Sequence, residues 1–402
     1  MRKAVQGYFF VLRSTVRTWA GVFAASPVVR RLVGGSAVLI GVILLLTLVA
    51  ASVGPFSIPI SHTVIALLDW SGLRQTTATG TEQAVIENVR VLISHAVTAL
   101  LDWSGLGQTT ATGTERAIIG NIRLPRIALA LSVGAALGVS GAVMQGLFRN
   151  PMADPGIIGV STGGSLGAVI AIATGAAAAS LAALPAFAFV GAMGALLLVY
   201  AIANAGGRFS MATLLLAGVA VSAFLGAIVS AIILFTNDQQ AQREMIFWLA
   251  GGLDSSRWAD VRVALPVIAA GVLIALVFTR DLNLLLVGED EARALGVRVD
   301  LVRNLLLVCA SLVTGAAVAF SGTIAFVGLV VPHTLRLFVG ADHRVLLPLS
   351  ALGGAAFLLA ADTAARLLIS PAELRVGIIT AFFGAPFFLF LLMRNKSRAG
   401  SL

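Results

Sequence analysis

Apolar residues gather into ten long runs along this chain, at 33–53, 124–147, 163–179, 181–203, 212–235, 261–278, 301–320, 323–338, 346–361 and 376–393. Most are apolar on every face and close to the roughly 20 residues that carry an α-helix through a bilayer. None alternates apolar and polar residues with period 2 over about ten positions, which argues against a transmembrane β-barrel. The pattern predicts an all-α polytopic membrane protein with about ten transmembrane helices over 33–394, and a tail at 395–402. Small residues recur at four-residue spacing, as at Gly134/Gly138 and Gly164/Ala168, and let helices approach closely.

The first 32 residues mix Arg2, Lys3, Arg13, Arg17, Arg30 and Arg31 with Phe9, Phe10 and Trp19. That mixture suits a cytoplasmic or interfacial segment lying on the membrane ahead of the first span. Ala50-Ala51-Ser52 has the form of a signal-peptide cleavage site, but the preceding run exceeds the usual apolar core of about 7–15 residues. An uncleaved first span is expected.

Residues 56–123 break the apolar pattern and contain an internal repeat. SHTVIALLDWSGLRQTTATGTEQAVIENVR at 61–90 recurs as SHAVTALLDWSGLGQTTATGTERAIIGNIR at 94–123, a constant offset of 33. Two copies do not make a solenoid; the segment reads as tandem duplication of one extracytoplasmic connector. Each copy predicts a short amphipathic helix and a Thr/Gly-rich loop. His62, His95, Asp69 and Asp102 recur because the unit recurs, so they are not read as a ligand set.

Composition removes several function classes. Of 402 residues 58% are hydrophobic and 11% charged, with mean hydropathy +0.99. A soluble domain carries about 25% charged residues. The net charge of +9 comes mainly from arginines between apolar runs, so it reports membrane topology and not nucleic-acid binding. Ten spans with the N-terminus inside place both termini in the cytoplasm. Cys309 is the only cysteine, and the four histidines are scattered, so no disulfide within the chain and no metal site is expected. Lys3 and Lys396 are the only lysines, and neither closes a glycine-rich phosphate loop. The chain is therefore not expected to hydrolyse ATP itself, nor to carry catalytic residues.

Three polar segments are too rich in Pro, Gly and paired charges to be ordinary connections. One is Arg123-Leu-Pro-Arg126, leading through Gly141-Ala-Val-Met-Gln-Gly146 to Arg149-Asn-Pro-Met-Ala-Asp-Pro-Gly156. The next is Gly288-Glu-Asp-Glu-Ala-Arg-Ala-Leu-Gly296. The last runs from Gly322-Thr-Ile-Ala-Phe-Val-Gly-Leu-Val-Val-Pro-His333 through Gly340-Ala-Asp-His-Arg344 to Asp362-Thr-Ala-Ala-Arg366 and Gly384-Ala-Pro-Phe-Phe388. In this order, over about 123–394, they closely resemble the FecCD-type (vitamin B12 permease-like) subunits of ABC importers for haem, ferric siderophores and cobalamin.

The resemblance implies a type II ABC importer permease fold in the cytoplasmic (inner) membrane, working as a homodimer around a central path. It implies two cytoplasmic ATPase subunits, which use the ATP, and an extracytoplasmic substrate-binding protein; no cofactor is bound by this chain. Gly288, Glu289, Asp290, Glu291, Arg293, Leu295 and Gly296 would form a glycine-capped charged helix that couples to the ATPase. Arg123, Arg126 and Arg366 would face water and receive acidic residues of the binding protein. Arg375, standing where the family usually has proline, would add a cation there. Gln145, Arg149, Asn150, Pro151, Ser210, Met211 and His333 are candidates for the pathway and its gate, with a hydrogen bond between helices the first reading of Gln145 and helix packing that of His333. The text of 144–161 looks most like haem permeases, which places haem first as cargo, ferric siderophores next and cobalamin third. An ion-coupled secondary transporter is the competing class, but it needs an ionisable group at mid-membrane, and these spans are almost bare of acids.

Overall fold

The computed structural model describes residues 26–70, 112–205 and 210–399. The interfacial segment 1–25, the repeat from 71 to 111 and the pair Arg208 and Phe209 lie outside the described residues. Fourteen helices carry the fold among those described. They are α1 (Pro27–Ser52), α2 (Ile60–Trp70), α3 (Gly113–Leu147), α4 (Val160–Ala173), α5 (Ala183–Asn204), α6 (Met211–Phe235) and α7 (Gln239–Leu249). Then come α8 (Trp258–Val277), α9 (Thr279–Val287), α10 (Glu289–Ala294), α11 (Val299–Ser321), α12 (Val327–Val339), α13 (His343–Leu367) and α14 (Val376–Ala399).

Seven of them, α1, α3, α5, α6, α8, α11 and α13, are long and apolar enough to cross a membrane; α4, α12 and the Val376–Phe390 part of α14 are shorter apolar helices. Each of the ten apolar runs therefore contains one of these helices, and the run at 163–179 adds a single turn at Ala176–Ala179. Two runs are shortened by left-handed residues. The run at 163–179 starts earlier, after Gly159 at φ +85°, and stops at Ala173 because Gly175 turns at φ +74°. The run at 323–338 becomes helical only at Val327, since Gly322 and Phe326 take φ +65° and +69°. A positive φ interrupts the i→i−4 ladder, so the backbone between them must bond elsewhere; Thr323 Oγ1 donates to the carbonyl of Leu249.

The core is built around α3, which is buried along most of its length together with α11 and α13, whereas α1 and α6 turn apolar surface outward. α3 can be central because it is nearly without Cβ bulk on one side. A Cβ at Gly134 would collide with the Gly354 carbonyl, one at Gly138 with the Ser350 carbonyl, and one at Gly141 with the Gly328 carbonyl. Backbone thus touches backbone between α3 and α13 and between α3 and α12. On α4 the equivalent approach uses Gly163 and Gly167 against α5, while Gly164 faces Val318 of α11. With lipid on the outside no hydrophobic force separates lipid from core, and such close packing supplies the association energy.

Candidate functional site

At one end of the bundle α9 leads through Gly288 into α10. Glu289, Asp290 and Glu291 occupy its first turn, where they complement the positive end of the helix dipole. The C-terminus closes by a Schellman motif: the N–H of Val297 donates to Ala292 O at 3.0 Å and that of Gly296 to Arg293 O at 3.0 Å. Gly296 takes φ +86°, which a side chain would resist. Arg293 bridges Asp290 at 3.0 Å and Glu289 at 3.4 Å, and Arg303 of α11 reaches Asp300 at 2.7 Å and Glu289 at 3.4 Å. Ala292 is fully buried, while Val287 and Leu295 are 70% and 62% exposed on either side of the charged turn. A charged helix fastened by its buried face and flanked by bare aliphatic side chains is shaped for a partner.

A cleft of about 550 Å³ lies beside it, lined by Leu147, Phe148, Arg149, Met211 and Val287 through Glu291. Two gate candidates, Arg149 and Met211, therefore meet the α10 segment, although more than 75 residues separate them from it in sequence. Arg149 is exposed at φ +47°, Asn150 Oδ1 accepts the Met152 N–H at 3.0 Å, and Asp154 Oδ1 accepts that of Gly156 at 2.8 Å. With Pro151 and Pro155 between them, these contacts make a turn and not a continued helix. Ser210 caps α6, accepting the Thr213 N–H at 3.4 Å. His333 is half-buried on α12.

Gln145 is not brought to the cleft. It is buried, and its Nε2 donates to Gly328 O at 3.3 Å and Leu329 O at 3.1 Å, so it ties α3 to α12. Of the two readings of Gln145, the geometry fits the hydrogen bond between helices and not the pathway: a buried amide between two helices takes the nearest free carbonyls.

The opposite end corrects an expectation. Arg123, Arg126 and Arg366 do not face water; they are 5%, 8% and 4% exposed. Arg126 Nε donates to Asp362 Oδ1 at 2.9 Å and its Nη1 to Glu373 Oε2 at 2.7 Å. Arg366 Nη1 donates to Ala50 O and Val53 O, both at 3.1 Å, and Arg366 Nε lies 3.4 Å from Asp362 Oδ2. Arg123 donates to Ala51 O and Phe56 O. The cause is the end of α1, whose last carbonyls have no intrahelical partner. Arg123 and Arg366 there complete both the hydrogen bonds and the dipole, and Asp362 with Glu373 offsets the charge of Arg126 and Arg366. Asp362, one turn before Arg366, was the sequence signal for this arrangement.

Arg375 differs from those three. A quarter of its side chain is exposed; it pairs with Asp254 and stacks over Phe247, its Cζ 4.8 Å from the ring centroid. It borders an open cleft with Asp254, Arg257, Asp260 and Trp248, beside the start of α14.

The duplicated connector joins this end, and the described contacts draw on both copies. α2 belongs to the first copy and Thr112–Arg123 to the second. Trp70 stacks on Trp258 at 5.4 Å and 8°, and Trp258 Nε1 donates to Gly120 O at 2.8 Å. His62 meets Glu115 at 3.0 Å and Asp69 meets Arg116 at 3.1 Å. His95 and Asp102 lie outside the described residues.

Comparison with known proteins closes the description. The FecCD transport family matches residues 42–394. The cobalamin import system permease protein BtuC of Halobacterium salinarum is 55% identical over 69% of this chain and 73% of its own length. The hemin transport system permease protein HmuU of Yersinia pestis is 44% identical over 68% and 83%. The Fe(3+)-citrate import system permease protein YfmD of Bacillus subtilis is 40% identical over 68% and 80%. A solved inward-facing structure of a metal-chelate type ABC transporter covers 89% of this chain and 99% of its own, with TM-score 0.69 and 31% identity.

Proposed function

The chain belongs to the FecCD transport family, and on that premise we propose that it is the membrane permease of an ATP-driven importer for a bulky metal chelate. Two copies enclose the path, an ATPase subunit seats on each α10 from the cytoplasm, and a binding protein delivers cargo at the opposite end. The observation that carries the reading is the α10 segment. It is a rigidly capped, charged helix flanked by exposed Val287 and Leu295, with Arg149 and Met211 across the adjoining cleft. A force applied there reaches the mouth of the bundle directly. Bond chemistry is not part of this chain's role; it shifts between conformations whose populations the partners bias.

At the opposite end, Arg375 is read as an arginine that receives a carboxylate from the binding protein in exchange for Asp254, a reading supported by the quarter of its side chain that stays exposed. Arg123, Arg126 and Arg366 hold the platform on which it stands. Cobalamin leads as cargo, supported by the 55% identity to the halobacterial permease, and haem follows, supported by the 44% identity to the Yersinia protein and by the text of 144–161.

The test is reconstitution of the permease with its co-purifying ATPase and binding protein in liposomes. Uptake of cyanocobalamin, haemin and a ferric siderophore is then measured with and without ATP. ATP-dependent cyanocobalamin uptake is expected. Uptake of haemin alone moves the cargo to haem, and absence of any co-purifying ATPase removes the importer reading.

A further inference from the structure

α10 is joined to the bundle by α9, and α9 holds one polar side chain whose amide bonds on both its oxygen and its nitrogen to the start of another helix. Asn283 Nδ2 donates to Asp342 Oδ1 at 2.7 Å. Asn283 Oδ1 accepts the backbone N–H of His343 at 2.8 Å and faces His343 Nδ1 at 2.9 Å. The amide can be placed only this way round, because a reversed amide would set its NH2 against an N–H and its oxygen against a carboxylate. With the amide this way round, Asn283 Oδ1 is the acceptor that faces His343 Nδ1.

Asp342 and His343 are the N-cap and first residue of α13. Asp342 Oδ1 accepts the Arg344 N–H at 3.0 Å, so one carboxylate oxygen caps α13 and anchors α9 together. Burial would raise the Asp342 carboxyl, but the Arg344 N–H, the Asn283 amide and the Arg344 guanidinium outweigh it and hold it below the usual carboxylate range. The charged, accepting form is therefore the one present at neutral pH.

The third helix enters through the ring. His343 is fully buried, and its Nε2 lies 2.7 Å from the position a Cβ would take at Gly146 of α3. Leu282, adjacent to Asn283 and also fully buried, presses on the same glycine, 3.3 Å from that position. The α9 segment thus grips α13 through hydrogen bonds and α3 through van der Waals contact. Gly146 lies three residues before Arg149, at the cleft.

We propose that the Asn283–Asp342–His343 clasp is the joint through which displacement of α10 is passed to α13 and α3. The proposal rests on the reading of α10 as the helix that the ATPase drives. α10 has a second attachment, the contact of Glu289 with buried Arg303 of α11, but at 3.4 Å and with Glu289 36% exposed it is the longer and less directional of the two. The clasp is short and directional, with Asn283 and Asp342 half-buried and His343 and Leu282 fully buried behind them, so it moves its partners with little slack. Asn283 is a positioning residue. It touches neither cargo nor nucleotide.

The test uses the full complex with its ATPase in nanodiscs, in a Cys309→Ala background. Spin labels are placed at Arg298→Cys beside α10 or at Ala341→Cys before α13, both exposed. Distances between the two copies are measured with and without a non-hydrolysable ATP analogue. In the parent protein the nucleotide is expected to shift the distance at both positions. Asn283→Ala and Asn283→Asp should keep the shift at 298 and lose it at 341. The paired exchange Asn283→Asp with Asp342→Asn should restore it. That exchange keeps one amide and one carboxylate across the joint, the amide oxygen at 342 accepting the Arg344 N–H while its NH2 turns to the carboxylate at 283. A shift at 341 that persists in Asn283→Ala overturns the proposal. So does loss of the shift at both positions in that variant, the mark of a merely folding role. No shift at 298 in the parent complex overturns the α10 reading itself, and the clasp falls with it.

Discussion

Arg126 of α3 and Asp362 of α13 meet at 2.9 Å in the interior of the chain, and the same carboxylate lies 3.4 Å from Arg366. One fully buried acid thus serves two buried cations, and one of these cations also holds the end of α1 through Ala50 and Val53.

Removing one member of such a set strands a charge away from water. Arg126→Met is expected to destabilise the protein by about 3 kcal/mol, the lower range for breaking a buried ion pair, because Arg366 still faces Asp362. Arg375→Met should cost less than about 1 kcal/mol, since its pair is partly exposed. The only cysteine, Cys309, is buried and reports unfolding when it becomes reactive to a fluorogenic maleimide on heating. Equal melting of the two variants would contradict the clamp.

Gly138 faces the Ser350 carbonyl too closely for any Cβ. Gly138→Val should therefore push α3 from α13 at a cost of about 1–3 kcal/mol or more. Gly34→Ala, where nothing lies near the added carbon, should be neutral. The same Cys309 assay in mild detergent separates the two, and parity between them would refute the backbone contact.

Neutralising the first turn of α10 (Glu289→Gln, Asp290→Asn and Glu291→Gln together) should leave folding nearly unchanged, because the Schellman cap and buried Ala292 hold the helix. Loss of ATPase co-purification at moderate salt is the expected effect. Retention of the ATPase at undiminished yield would move the docking energy to Val287 and Leu295.

The two repeat copies share one set of described contacts, which gives a sequence edit with a sharp outcome. Deleting residues 74–106 removes one repeat length and joins Leu73 to Gly107. His62, Asp69 and Trp70 then keep Glu115, Arg116 and Trp258 as partners. Normal membrane yield, an unchanged Cys309 melting profile and unchanged cargo uptake are expected. Impaired uptake in a well-folded deletion would give the second copy a role of its own.

Hydrophobic runs alone settled the fold class. A bilayer accepts only segments that satisfy their own backbone, so ten apolar runs imply ten helices whatever their packing. The capped helix at 289–294 was equally legible, because a turn of acids followed by a left-handed glycine is a local signal. The shortening of the runs at 163–179 and 323–338 was not, since Phe326 at φ +69° packs its side chain directly against Gly384 of another helix.

The site divided along the same line. Sequence marked Arg123, Arg126 and Arg366 as unusual but placed them in water, since an arginine at a span boundary most often points outward. Their burial depends on Asp362, Glu373 and the carbonyls ending α1, which only folding brings together. The sequence marked Asp342 and His343 within 340–344 but not their partner Asn283, because the 59- and 60-residue separations follow no local period. What the sequence determined by itself is what the solvent dictates residue by residue: which segments enter lipid and which turns cap a helix. What the tertiary structure decided is which polar groups meet, because a buried charge or amide is fixed by partners that arrive from other helices.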